Sequence, residues 1–381
     1  MKIEVITDTA RFEELKDEWN NLLMQSNSTS IFLTWEWLYY WWLHFRNKNK
    51  LFIIIVRNKT SGQMIGIAPL YLKKNQFFKN LSLKKLKLLG SEKVDSEFLD
   101  FIIYPGMEEA VSELICKFLN EKSSEWNVLE LNEIEESSSL NCFVRRKFSE
   151  TFKTVNLRNH SCLYIKLPND YELFLKMLGY RMRKNLRWAT RELEAKHKIS
   201  LQIQRDEKLM RESIAELFDL HSRRFISKNK SKSNFSGDKV KSFHHEISTT
   251  FLKRGWLKFY FLLNDKKPNA SLYAFKYKDR VFCYQSGFDP FWHKWSIGSV
   301  LFGYAIKDSI KEGLSEFHFL SGEQEYKKRW TETEKKMVSL IILNKDFLGL
   351  IYGKLTSLRI RVKQVLKTFR HNRCFIKCKR Q

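Results

Sequence analysis

Two stretches about two hundred residues apart have the same build. LFIIIVRNKTSGQMIGIAPLYL (51–72) and LKFYFLLNDKKPNASLYAFKY (257–277) each run from one apolar, β-branched or aromatic segment through a polar turn into a second such segment. That pattern is a pair of strands joined by a turn, KTSGQ in the first and NDKKPN in the second. What surrounds them also repeats. Before the first stands TWEWLYYWWLHF, capped by Thr34, and before the second Phe243–Arg254, both reading as helices. After each hairpin come a helix (AVSELICKFLNEK; Ser296 to Glu312) and a strand (WNVLELNEI; Glu316 to Leu320). A chain built this way is expected to be α+β: two tandem units, each a mixed β-sheet flanked by helices. Residues 1–155 form the first unit and 156–343 the second, and 344–381 lie beyond both as a tail.

The length, 381 residues, suits two domains, and 30 Phe, 14 Tyr and 11 Trp against 14 Gly and 5 Pro mean regular elements around a real core. The six cysteines show no CxxC pair, which fits reduced, packed thiols. His371, Cys374 and Cys378 have a metal-like spacing but sit among Arg370, Arg373, Lys377 and Lys379, which repel a cation, so no metal is expected. No apolar run approaches the roughly 18–20 residues that span a bilayer, and MKIEVITDTARFEEL lacks the basic start and apolar stretch of a signal peptide. The expected location is cytoplasmic.

The net charge of +25 is unevenly spread: about zero over residues 1–155, about +15 over 156–343, and about +10 over the last 38. An anionic partner therefore meets the second half or the tail. Nucleic acid, a phosphorylated cofactor and an anionic membrane all qualify.

Three segments carry candidate chemistry. SGFDPFWHKWSIGSVLFGYAIKDSI ends a strand near Gly287 and starts a helix near Ser296, so Ser296, Ile297, Gly298, Ser299 and Val300 offer a helix start that attracts phosphate. In LGYRMRKNLRWATRELEAKHK, Met182, Leu186, Ala189 and Leu193 share one helical face. Arg183, Lys184, Arg187 and Arg191 share the opposite face, as a solvated surface or a ridge for phosphates. In FHFLSGEQEYKKRW a short strand stops at Ser321-Gly322 and a dense polar run follows. Strand ends in α/β folds are where ligands sit. Glu323 or Glu325 can serve there as general base, Tyr326 as acid, and Lys327 or Arg329 as oxyanion stabiliser. The same residues also suit an exposed charged loop. Trp37, in the aromatic helix, reads as core or as a substrate wall.

The ordered set WEWLYYWWLHF, SEFLDFII, YRMRKNLRWATRELE, LFDLHSRRF, LYAFKYKDRVFCYQSGFDP and GEQEYKKRW resembles the GNAT acyltransferase superfamily across residues 30 to 343. It is most similar to the CelD/BcsL-type (BioF-like) acetyltransferase branch, which is related to the Fem aminoacyl transferases. The resemblance implies an acyl-CoA donor (acetyl-CoA or another acyl-CoA) with its pyrophosphate at Ser296–Val300. It also implies an acceptor cleft between the units, lined by Glu323, Tyr326, Lys327 and Arg329 and reached by Asp100. Trp37, Arg183, Arg187 and Asp289 are then the expected substrate contacts. Ile297 departs from the Pro that the branch often carries before the helix-start Gly. The implied reaction moves an acyl group to an amine or hydroxyl of a sugar, nucleotide sugar or glycan precursor. The alternatives are Fem-like transfer from aminoacyl-tRNA, and a non-catalytic protein that binds an anionic partner.

The tail is outside the resemblance. Its apolar residues fall at 348, 351, 355, 358, 362, 365 and 369, the three-four alternation of an amphipathic helix, with Lys and Arg on the remaining faces. Such a seam packs on the second unit or on a sister chain, or lies on an anionic membrane.

Overall fold

The computed structural model describes residues 1–78, 81–227, 235–322 and 324–378, with side chains described except at Phe78, Gln324 and beyond Val362. The first half contains β1 (Lys2–Ile6), β2 (Lys50–Leu51), β3 (Ile53–Arg57), β4 (Met64–Ala68), β5 (Leu70–Phe78), β6 (Leu81–Leu88), β7 (Ile102–Ile103) and β8 (Val128–Glu135). The second half contains β9 (Lys153–Lys166), β10 (Ser200–Ile203), β11 (Leu257–Asn264), β12 (Lys267–Tyr277), β13 (Arg280–Phe288), β14 (Glu316–His318) and β15 (Glu334–Leu343). Helices pack on these sheets throughout, so the chain is α+β, built as tandem halves of like order.

The two predicted hairpins form and then diverge. In the second, Asp265 and Lys266 both take positive φ (47° and 66°), the two-residue reversal that matches strand twist, and β11 runs directly back into β12. In the first, Pro69 follows β4. Proline has no N–H for a ladder, and the chain changes sheets there: β4 belongs to a four-stranded sheet (β1-β3-β4-β7), and β5 enters a larger one. The region 171–197, which reads as one helix, is two, Tyr171–Met177 and Tyr180–His197. Leu178 is extended between them, and Gly179 starts the second.

The larger sheet has eleven strands in the order β10-β11-β12-β13-β14-β9-β15-β8-β6-β5-β2. Its hydrogen bonding runs unbroken across both halves, because β9 spans them. Lys153–Leu163 of β9 pair with β15, and Tyr164–Lys166 pair with β14. The other edge of β15 pairs with β8, so the last strand of the chain completes the sheet of the first half. The expected boundary near residue 155 falls at the start of β9.

The core is shared as well. Thr34 caps the aromatic helix Trp35–Phe45 as expected. Trp37 is fully buried, with Phe32, Phe243, Phe251, Phe275 and Tyr284 around its ring. Arg254 closes on the buried carboxylate of Glu36 at 2.6 Å. Deep in this layer lies His244, 1% exposed, with Tyr284 Oη 3.4 Å from its Nε2. Burial pulls its pKa down to about 3. The unfolded chain therefore protonates first: the folded state keeps full stability above about pH 6.5 and loses it as pH falls. At pH 5 one such group costs about 2 kcal/mol. His244→Phe is expected to flatten the fall of melting temperature between pH 6.5 and 4.5, read by thermal melts across that range; a profile parallel to wild type would contradict it.

The tail is a single helix, Phe347–Cys378. Its first two turns dock: Leu348 and Tyr352 pack near Leu83, Val128, Ile341 and Leu343, and Tyr352 Oη meets Lys85 Nζ at 2.7 Å and Glu130 at 3.2 Å. Gly349 is needed there, since a Cβ would stand 2.6 Å from the Asn344 carbonyl oxygen. Among the described residues the seam then opens to solvent: Leu355, Leu358 and Val362 are 41, 58 and 50% exposed, so packing on the sheet accounts there only for its start. His371, Cys374 and Cys378 lie among the side chains not described.

Candidate active site

The site grows from a gap between two parallel strands. β13 pairs with β14 only through Arg280–Phe282 and Glu316–His318. Beyond that the chain after β14 turns away, with Leu320 at φ 57° and Gly322 at φ 119°. Cys283–Phe288 are left facing an opening. The helix Met210–Ser227 closes over the end of β13, and Gly287 lets it approach: a Cβ there would lie 2.4 Å from His221 N. From this helix Arg224 donates to the Ser286 carbonyl oxygen (3.2 Å) and Oγ (2.9 Å). The N–H and C=O of a strand residue point to the same edge, so Ser286 N–H faces the gap too, where a reacting carbonyl can be polarised.

Two cavities lie along the gap and share Arg224, Ser286, Phe302 and Tyr326. The outer one, about 550 Å3, sits at the start of the helix Ile297–Lys311. Ser296, Ile297, Gly298 and Ser299 line it, and Val300 is buried behind them. Ser296 adopts φ 53° and no side chain caps the helix, so its positive end opens on the cavity. A Cβ at Gly298 would touch only the Phe288 ring at 3.5 Å, so a larger residue fits the fold but takes space where an anion would lie.

The inner cavity, about 320 Å3, has walls from both halves: Asp95 and Glu97 from the first, His221, Cys283, Gln285 and Lys327 from the second. Glu97 is 2% exposed and accepts from Ser321 N–H (2.6 Å) and Cys162 Sγ (2.9 Å); burial pushes its carboxyl up. Lys327, also 2% exposed, donates to the carbonyl oxygens of Leu320 (2.7 Å) and Ser321 (2.6 Å). Burial pulls its ammonium down, and Glu97 opposes that. His221 contacts Gln285 Oε1 at 3.2 Å, and Gln285 donates to Asp95 Oδ2 at 2.9 Å. Burial, with Arg224 nearby, lowers His221 to about 4, so its ring is neutral at pH 7. The arrangement is an uncapped helix start open on one cavity, a gap faced by a backbone N–H, and a polar inner chamber.

The residues expected from sequence divide sharply. Tyr326 lines both cavities, Lys327 the inner one and Arg329 the outer one. Glu323 lies outside the described residues. Asp100 is not in the gap. Phe98, at φ 54°, turns the chain after Glu97, and Asp100 opens into another cavity, where it accepts from Phe101 N–H at 2.8 Å. Trp37 is not a substrate wall, because its ring belongs to the shared aromatic core. Arg183 and Arg187 line neither cavity: Arg183 reaches back to the carbonyls of Leu175 and Lys176, and Arg187 pairs with Glu172 at 2.7 Å. Asp289 caps the turn Pro290–Trp295 and pairs with Arg223 at 3.2 Å, beside the outer cavity rather than in its lining. Sequence reasoning missed Glu97, His221, Arg224 and Gln285. All four lie in segments that carry the resemblance, SEFLDFII, LFDLHSRRF and LYAFKYKDRVFCYQSGFDP, but no local pattern marks them out there.

Residues 180–328 match the family model described as an acetyltransferase (GNAT) domain. Among solved structures the chain is similar to FemX, with a TM-score of 0.63 at 10% identity over 92% of this chain and 100% of that one. It is also similar to a conserved protein of unknown function from Bacteroides thetaiotaomicron, with a TM-score of 0.56 at 9% identity over 89% of this chain and 100% of that one. A third likeness is to the C-terminal domain of a protein assigned as a lysylphosphatidylglycerol synthetase from Agrobacterium fabrum, with a TM-score of 0.51 at 10% identity over 92% and 97%. At such identity these likenesses show the fold. Curated protein sequences contain no significant match. Among the described residues no group of His, Cys, Asp and Glu could hold a metal ion, and no helix is long and apolar enough to cross a membrane.

Proposed function

We propose that this chain transfers an acyl group, acetyl in the simplest case, from acyl-CoA to an amine or hydroxyl of a sugar or cell-surface polysaccharide precursor, as the CelD/BcsL-type branch implies. Residues 156–343 bind the donor, and residues 1–155 supply the acceptor side through Asp95 and Glu97. The observation that carries this reading is the uncapped helix start at Ser296, which opens into a gap that continues to an inner chamber. The donor's pyrophosphate meets that helix start and Arg329, and its thioester reaches along the gap to Ser286 N–H. The acceptor heteroatom attacks the carbonyl carbon and the C–S bond breaks. Tyr326, which lines both cavities, protonates the departing thiolate and is reprotonated with the proton that the acceptor loses. Holding the two reactants in adjoining cavities supplies much of the rate.

Gly298→Asp places a negative charge in the outer cavity. Calorimetry with CoA is expected to show at least a ten-fold loss of affinity with an unchanged melting temperature; equal affinity in a folded variant would remove the donor site. A second reading, transfer from aminoacyl-tRNA, is favoured by the +15 of residues 156–343. Salt-sensitive tRNA binding without CoA binding would select it, and binding of neither would leave a non-catalytic anion-binding protein. The basic tail, with Leu355, Leu358 and Val362 exposed beside Lys354, Arg359 and Arg361, suits a place at the cytoplasmic face of a membrane, where many glycan precursors are anchored in lipid.

A further inference from the structure

Residues 171–191 carry six basic side chains against one acid, Glu172, and none of them lines the gap or its two cavities. The segment folds as a helical hairpin. Arg187 pairs with Glu172 at 2.7 Å and Arg183 reaches the carbonyls of Leu175 and Lys176, so the helix Tyr171–Met177 lies back along the helix Tyr180–His197. Its inner side is apolar and packed, with Phe174, Leu175, Leu178 and Leu186 in the core of the second half. Its outer side is not the polar surface that such a pattern normally presents to water. Leu173, Met177, Tyr180 and Trp188 are 47, 60, 71 and 51% exposed. Leu173 and Met177 stand one turn apart on the first helix, and Tyr180, Lys184 and Trp188 follow at four-residue steps on one face of the second. Met177 and Tyr180 line a common groove with Arg181, which joins the two rows.

A single exposed apolar side chain is ordinary, whereas a run of four large ones marks a surface that meets a partner. The charge around them says which. Lys176 lies beside Leu173 and Met177, and Arg181, Lys184 and Arg191 surround Tyr180 and Trp188, all of them exposed. Glu172, the one acid, is matched by Arg187. A second copy of this chain, at net charge +25, would bring mostly like charge to such a face. Nucleic acid would satisfy the cations and could stack on Tyr180 and Trp188, but it leaves Leu173 and Met177 nothing apolar to enter. A lipid surface satisfies all three kinds of residue at once. Its phosphates meet Lys and Arg, its headgroup layer takes the amphipathic rings of Trp and Tyr, and its acyl boundary takes Leu and Met.

We infer that the outer face of this helical hairpin rests on an anionic lipid surface, with Leu173, Met177, Tyr180 and Trp188 entering the headgroup layer among the lipid phosphates. It is a contact separate from the tail, since it shares no residue with 344–381, and it does not rest on the donor reading. Two lipid contacts on one chain reinforce each other, because the first holds the second close to the surface. Loss of either one therefore weakens binding even with the other intact.

The test uses the full chain, without CoA, and vesicles of phosphatidylcholine with about one-third phosphatidylglycerol. Trp188 is the exposed tryptophan among the described residues. Phosphatidylcholine brominated in its acyl chains is expected to quench the fluorescence of wild type, and Trp188→Phe to lose that quenching. Leu173→Ser/Met177→Ser/Trp188→Ser is expected to bind vesicles at least ten-fold more weakly, with its tail intact and its melting temperature kept. Should that variant fail to fold, Lys176→Glu/Lys184→Glu, at two exposed positions, carries the same expectation. The variants are also measured for tRNA binding and by sedimentation velocity. A folded variant that binds vesicles as tightly as wild type, or quenching that survives Trp188→Phe, would overturn the inference. Vesicle binding kept while tRNA binding is lost would give the face to nucleic acid, and vesicle binding kept while a dimer falls apart would give it to a second copy.

Discussion

Lys327→Ala is expected to lower the melting temperature by about 5–10 °C, whereas Arg329→Ala should keep it and lose most of its turnover. The sequence treats the two alike, as neighbouring cations after a strand end. The structure separates them. Lys327 is buried and holds the carbonyl oxygens of Leu320 and Ser321 beside Glu97. Its removal leaves two buried carbonyls without a donor, a loss of about 2–3 kcal/mol, and in a chain of this size each kcal/mol moves the midpoint by about 2–4 °C. Arg329 lies at the outer cavity and is exposed, so little of the fold depends on it. Thermal melts of the two variants, with CoA binding measured on the folded one, check this. A Lys327→Ala protein as stable as wild type would show that the turn after β14 is held by other contacts, and a destabilised Arg329→Ala would remove that residue from the donor site.

The full-length chain is expected to co-sediment with vesicles containing anionic lipid, and Leu355→Ser/Leu358→Ser/Val362→Ser to reduce that binding at least ten-fold. All three residues are exposed, so the substitutions cost the fold little. The tail adds a net charge of about +10, and each basic residue at an anionic surface contributes about 1 kcal/mol. Charge alone would also attract nucleic acid, but a row of exposed leucine and valine beside it fits a surface with an apolar interior. Binding should weaken as salt is raised from 0.1 to 0.5 M on the order of the usual screening. Cutting the chain at Asn344 would confound the result, because Leu348, Gly349 and Tyr352 are docked on the sheet. Equal vesicle binding by the triple variant would free the tail from this role. A dimer that dissociates in that variant would show that a second copy covers the seam.

The sequence alone was enough to establish the doubled α+β order, both hairpins, the helix start at Ser296 and the tail helix. These rest on local periodicity, turn chemistry and capping, which act over a few residues and leave a mark in composition. Tyr326, Lys327 and Arg329 were legible for the same reason, since they follow directly on a strand end. Tertiary structure decided the rest. Whether Trp37 faces a ligand or a core depends on Phe243, Phe251 and Phe275, two hundred residues away. Glu97 rather than Asp100 enters the gap because Phe98 takes a positive φ without a glycine to announce it. The unbroken eleven-stranded sheet depends on β15 returning to β8, a pairing between residues 128–135 and 337–343 that no local pattern encodes. The same alternation of apolar residues also runs through the tail helix, but among the described residues Leu348 and Tyr352 pack on the sheet while Leu355, Leu358 and Val362 stay exposed, because periodicity does not say what surface lies opposite.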